Sequence, residues 1–115
     1  MVMKMDDITC NTVFSNGTLT VHIGGAIDHH TAREAREVTD KAIIDTGTKK
    51  LILDLSEVEF MDSAGLGLIL GRYTKMNDAG GTLTVKNPSN EILRIIKMAG
   101  VEKLVSIELQ KQNSN

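Results

Sequence analysis

Apolar and polar residues alternate most clearly from Thr18 to Gly24, where Leu19, Val21 and Ile23 share one face and Thr18, Thr20 and His22 the other. A period of two marks a strand with one buried face. Asn16-Gly17, just before it, predicts a tight hairpin turn back to an earlier strand near Ile8 to Phe14. Lys50 to Leu55 is nearly continuous in apolar residues and predicts a central strand covered on both faces. Two more strands are expected near Thr82 to Lys86 and Leu104 to Leu109.

Between these strands the period changes to that of a helix. The first helix opens at Asp28 to Thr31, with Thr31 and Glu34 as a capping box; it buries Ala32, Ala35, Val38, Ala42 and Ile43 and stops by Gly47. The second opens at Asp62-Ser63, carries an apolar stripe at Leu66, Ile69, Leu70 and Tyr73, and stops at Gly80-Gly81. In the third, Asn87 caps, Pro88 takes the first helical position, Ile92, Ile95, Ile96 and Ala99 are buried, and Gly100 ends the helix. This order predicts an α/β fold: a mixed, mostly parallel sheet of about five strands behind an N-terminal hairpin, with three main helices. Residues 1–115 read as a single domain with a core over about 8–109; the N-terminal methionines are expected to be a disordered start, and 110–115 a frayed polar tail.

In parallel strand-helix-strand units every strand-to-helix loop leaves the sheet at the same edge, the usual place for a site. Three such loops, Gly25 to His30, Glu57 to Ser63 and Asn87 to Asn90, are expected to converge there. They bring Asp28, Asp62, Ser63, Asn87 and Ser89 to that edge, all at helix N-termini.

Composition narrows the chemistry. With 41% hydrophobic and 24% charged residues the chain is of the soluble globular type. Its three aromatics, Phe14, Phe60 and Tyr73, are too few to stack on bases. A formal charge of −2 with no basic run longer than Lys49-Lys50 leaves no footprint for nucleic acid or an anionic membrane. One cysteine, Cys10, cannot pair internally and suits a reducing compartment, and no apolar stretch is long enough to span a bilayer. The expected location is the cytoplasm.

The segment Phe60 to Gly67, FMDSAGLG, is the most informative. On chemistry alone it is a helix cap, with Asp62 or Ser63 accepting from free backbone N–H groups. Gly65, Gly67 and Gly71 in one helix are costly there and predict a close approach by another group. The glycine spacing lacks the context of a dinucleotide fingerprint, no Gly-Lys-Ser/Thr follows as in a P-loop, and Met61 stands where a nucleophile elbow needs glycine. A serine hydrolase with His29 or His30 as base has no oxyanion-hole motif to support it. Histidine spacing fits no zinc site, and neither metal nor cofactor is expected. The charges Arg33-Glu34 and Arg36-Glu37 read as a solvated helix face with pairs three and four residues apart.

FMDSAGLG also resembles the Asp-Ser-x-Gly-Leu-Gly signature of the STAS domain of bacterial anti-sigma factor antagonists. Gly25 to Ala32 is similar to the start of that family's first helix, in the sporulation branch above all. Ile69 to Tyr73, Gly80-Gly81 and Met98 to Val101 are similar to its later landmarks, so the resemblance spans about residues 8–109. It implies a binding switch and not an enzyme: the unphosphorylated protein engages an anti-sigma factor with a histidine-kinase-like ATPase fold and frees the sigma factor. That kinase phosphorylates Ser63, the modified form lets go, and a PP2C-type phosphatase restores it. The partner-binding residues implied are Asp28, His29, Asp62, Ser63, Ala64, Gly65 and Leu66. Ala64 replaces a frequent hydroxyl residue and leaves Ser63 as the motif's one acceptor, and Ala26 replaces a frequent acid. The chain ends soon after Leu109, which implies that the family's last helix is short or missing. The alternative reading is a STAS-type sensor or scaffold module that binds a nucleotide or other anion at the helix N-termini.

Overall fold

The computed structural model describes residues 2–5 and 8–110, with side chains described for 8–110. Strands β1 (Val2–Met5), β2 (Ile8–Ser15) and β3 (Thr18–Ile27) are followed by α1 (His29–Thr46), β4 (Lys50–Met61), α2 (Ser63–Asp78), β5 (Thr82–Lys86) and α3 (Asn90–Met98). A 3-10 turn, Val101–Lys103, then leads into β6 (Ser106–Glu108). The strands lie in one sheet in chain order, antiparallel from β1 to β3 and parallel from β3 to β6. The five expected strands are present, and β1 adds an edge strand where a disordered start was expected. The tail expected at 110–115 lies outside the described residues from 111 onward.

The hairpin follows from its turn residues. Asn16 and Gly17 both take positive φ, 52° and 79°, and join Ser15 to its partner Thr18. Two such residues give the turn whose twist matches that of the strands.

Burial alternates along β4, with Leu51, Leu53 and Leu55 on the core side. Ile52 is only half-buried and Asp54 pairs with His22 on the other side, 3.2 Å apart. The helices therefore cover one face of the sheet, and β4 is not covered on both faces as its apolar run suggested. In register, Asn11, His22, Asp54, Lys86 and Glu108 form a polar row across the open face. A row of this composition is stable against water without a second helical layer.

The helix boundaries refine the sequence reading. Asp28, and not Thr31, caps α1: its carboxylate accepts from the N–H groups of His30 and Thr31, while Thr31 Oγ1 accepts from Asp28 N–H. Gly47 ends α1 in the left-handed conformation, as expected. Ser89 caps α3 by accepting from Ile92 N–H, so Pro88 lies before the cap, buried. Asn87 instead adopts positive φ and accepts from Gln110 N–H through its side chain. The last strand begins two residues later than expected because Leu104 and Val105 still belong to the exit of the 3-10 turn, both their N–H groups donating to Val101 O, with Val101 and Val105 buried around it.

Candidate functional site

The sheet itself brings two helix starts together. β3 and β4 remain paired to Ala26↔Phe60 and Ile27↔Met61, and Asp62 N–H donates to Ile27 O at 3.2 Å. The capping aspartates of α1 and α2, Asp28 and Asp62, thus stand at the ends of adjacent parallel strands. β5 stops sooner: Lys86 pairs with Asp54, seven residues of β4 before Met61 (61 − 54). At about 3.3 Å per residue, the loop into α3 leaves the sheet well short of that edge. Asp28, Asp62 and Ser63 are brought together as expected; Asn87 and Ser89 are set back from them.

Asp62 Oδ1 accepts from Ala64 N–H at 2.8 Å. The carboxylate therefore satisfies one of the free donors of α2's first turn, as a cap should, while Gly65 N–H donates to the Asp62 backbone carbonyl at 3.0 Å. Ser63 is the first helical residue and is exposed, and among the described residues nothing hydrogen-bonds its hydroxyl. At the neighbouring cap, bonds from the Thr31 and His30 backbones hold the Asp28 carboxyl below its usual range, so it is anionic at neutral pH. His29 is exposed beside it, and Ala64 and Leu66 are half-buried on α2. Gly65 is buried.

The three α2 glycines divide in two. A Cβ at Gly65 would collide with the Met61 side chain and touch Ile27, so the close approach expected there comes from the protein's own core. A Cβ at Gly67 or Gly71 would meet nothing. Neither has positive φ, and a mid-helix glycine costs about 1 kcal/mol relative to alanine.

The core-facing side of α2 is Gly65, Leu68, Ile69, Arg72 and Met76, whereas Leu66, Leu70 and Tyr73 are only half-buried. The stripe read from the sequence is thus rotated, because Gly65 and Arg72 belong to the buried face and neither scores as apolar. Arg72 Nε lies 2.9 Å from Asp40 Oδ1 on α1, with the Arg72 side chain 8% exposed. Burial pushes its pKa below the usual arginine range, Asp40 opposes that and Arg36 adds to it. The period offered a signal for this pair: Arg72 follows Leu68 by four residues and precedes Met76 by four.

Arg33 and Arg36 enter none of the ion pairs among the described residues; they line a cleft between α1 and α2 instead of forming the paired face expected of them. Among the same residues no cluster of His, Cys, Asp or Glu could hold a metal ion, and no helix is long and apolar enough to cross a membrane. His30 lies 3.4 Å from Glu34, and Cys10 is fully buried in β2.

Over residues 9–113 the chain matches the STAS domain family. It is 38% identical over 91 residues to the anti-sigma F factor antagonist of Paenibacillus polymyxa, covering 79% of this chain and 78% of that one. The crystal structure of an anti-sigma factor antagonist from Mycobacterium paratuberculosis superposes with a TM-score of 0.80 at 28% identity, over 88% of this chain and 85% of the other. The Bacillus cell fate determinant SpoIIAA, in its phosphorylated form, shares the fold with a TM-score of 0.71 at 23% identity, over 90% and 92% of the two chains.

Proposed function

We propose that this chain, which belongs to the STAS domain family, is an anti-sigma factor antagonist switched off by phosphorylation of Ser63. The observation that carries the reading is Ser63 itself: an exposed hydroxyl with no hydrogen-bond partner among the described residues, at the first position of α2, beside the start of α1. The unphosphorylated chain binds an anti-sigma factor with a histidine-kinase-like ATPase fold and displaces the sigma factor. Asp28, His29, Asp62, Ser63, Ala64 and Leu66 form the contact surface, and Gly65 shapes it from below. The chain carries no chemistry of its own in this scheme.

The kinase holds ATP against the Ser63 hydroxyl. Oγ attacks the γ-phosphorus, a new O–P bond forms, ADP departs and the hydroxyl proton passes to a base of the kinase. A PP2C-type phosphatase reverses this with water and releases inorganic phosphate. The phosphate adds about −1.5 to −2 charges at a helix N-terminus, where the dipole favours an anion by about 0.3–1 kcal/mol. The fold therefore survives modification. The complex does not, because the dianion joins the carboxylates of Asp28 and Asp62 and has to be desolvated under the partner. Turning 99:1 occupancy into 1:99 takes about 5.5 kcal/mol, which a buried phosphate supplies and a rim charge does not.

The test is transfer of labelled phosphate from ATP by the cognate anti-sigma factor. One mole per mole is expected on the wild type and none on Ser63→Ala, with about 10⁴-fold weaker binding of the phosphorylated chain. Label on the Ser63→Ala chain, or equal affinity of both forms, overturns the reading.

A further inference from the structure

We propose that the cleft between α1 and α2 is a second contact surface for the protein that engages the Ser63 edge, and that it receives an acidic segment of that partner. This rests on the binding role assigned above and adds to it where a further part of the partner goes and what charge it carries.

The cleft has a volume of about 430 Å³. Its α1 wall is made by His29, Arg33 and Arg36, and its α2 wall by Ala64, Gly67 and Gly71. Two independent features of these walls call for an occupant. First, Gly67 and Gly71 leave open space over the α2 backbone that no part of the described structure fills. They weaken the helix without serving its conformation or its internal packing, unlike Gly65. Bare backbone on an exposed helix face permits a partner's chain to come closer than any side chain would allow.

Second, the charge of the cleft is one-sided. Arg33 and Arg36 are exposed and enter no ion pair among the described residues. Arg72, which also lines the cleft, has one carboxylate neighbour, Asp40. Their atoms approach to 2.9 Å, and Arg72 also donates to Leu68 O at 3.4 Å. Glu34, the acid next to Arg33, is turned to His30 at 3.4 Å. Carboxylates from outside are the complement of such a lining.

The cleft is also continuous with the proposed interface. Ala64 lies in its wall and directly follows Ser63, and His29 stands beside Asp28 at the same edge. A partner seated on Ser63 reaches the cleft without a gap, and a peptide bearing Asp or Glu side chains fits between the arginines while its backbone lies on Gly67 and Gly71.

The experiment measures the affinity of the full chain for the anti-sigma factor by calorimetry at two salt concentrations. Gly67→Leu/Gly71→Leu fills the cleft, and Arg33→Glu/Arg36→Glu reverses its charge. Each double variant is expected to bind at least tenfold more weakly, and the arginine variant to lose part of the salt dependence. Thermal unfolding checks integrity: the leucines are better helix formers than the glycines they replace, and Arg33→Gln/Arg36→Gln serves if reversal disturbs α1. Wild-type affinity in folded variants overturns the cleft and leaves the role of Ser63 standing. Failure of the wild-type chain to bind the anti-sigma factor overturns that role, and the cleft with it.

Discussion

At the scale of single residues, the structure assigns different reasons to glycines that look alike in the sequence. FMDSAGLG shows that the start of α2 is unusual; it does not show that Gly65 makes room for Met61 while Gly67 makes room for nothing in the protein itself. That distinction depends on which way each position turns when α2 packs, and packing is a property of the whole fold. The consequence is measurable by urea unfolding. Gly65→Ala is expected to destabilise by about 1–3 kcal/mol, because Met61 has to move within a filled core. Gly67→Ala, on an exposed position with space above it, is expected to stabilise by about 0.5–1 kcal/mol through helix propensity alone. Responses of the same sign at the two positions contradict this division.

At the scale of elements, what was legible in the sequence was what local chemistry decides. The Asn16-Gly17 turn, the stop at Gly47 and the aspartate at the head of α2 are each set by one or two residues, and each lies where the pattern places it. The caps of α1 and α3 were displaced by a few residues, because several hydroxyl and carboxylate side chains compete at each start and tertiary contacts choose among them. Thr31, for example, is 2% exposed and donates to Ala26 O at 2.7 Å, which ties the first turn of α1 to the end of β3. The rotation of α2 has the same origin: Arg72 is drawn inward by Asp40 of α1, a contact between residues 32 positions apart (72 − 40). Removing that carboxylate leaves a largely buried guanidinium without its counter-charge. Asp40→Ala is expected to cost about 1–3 kcal/mol in urea unfolding, less than for a fully buried pair because the Asp40 side chain is 25% exposed. Adding Arg72→Met should restore part of that loss; strictly additive effects would show that the two side chains do not depend on each other.

At the scale of the whole molecule, the sequence misleads on the depth of the sheet. LILDL reads as a strand buried on both faces, yet only alternate residues reach the core and Asp54 belongs to the polar row on the open side. The apolar count of one strand cannot reveal that row, since it exists only in the register of five strands. A one-sided core concentrates burial between the sheet and the helices, and Cys10 of β2 is caught in it at 0% exposure. Burial pushes the Cys10 thiol up from 9.0 to about 11, and the nearby charge of Glu34 acts in the same direction. The folded state therefore holds a proton that the unfolded chain gives up, and stability is fully present below about pH 9 and lost as pH rises towards 11. Across a window of two pH units the loss amounts to roughly 2–3 kcal/mol. The measurement is a difference between two chains, so that every group common to both cancels. Urea unfolding of the wild type and of Cys10→Ala at about pH 8 and again at about pH 11 should show a steeper alkaline loss for the wild type, although the alanine chain starts lower for want of the buried sulfur. Parallel pH profiles for the two chains would mean that the thiol ionises as readily inside the fold as outside it.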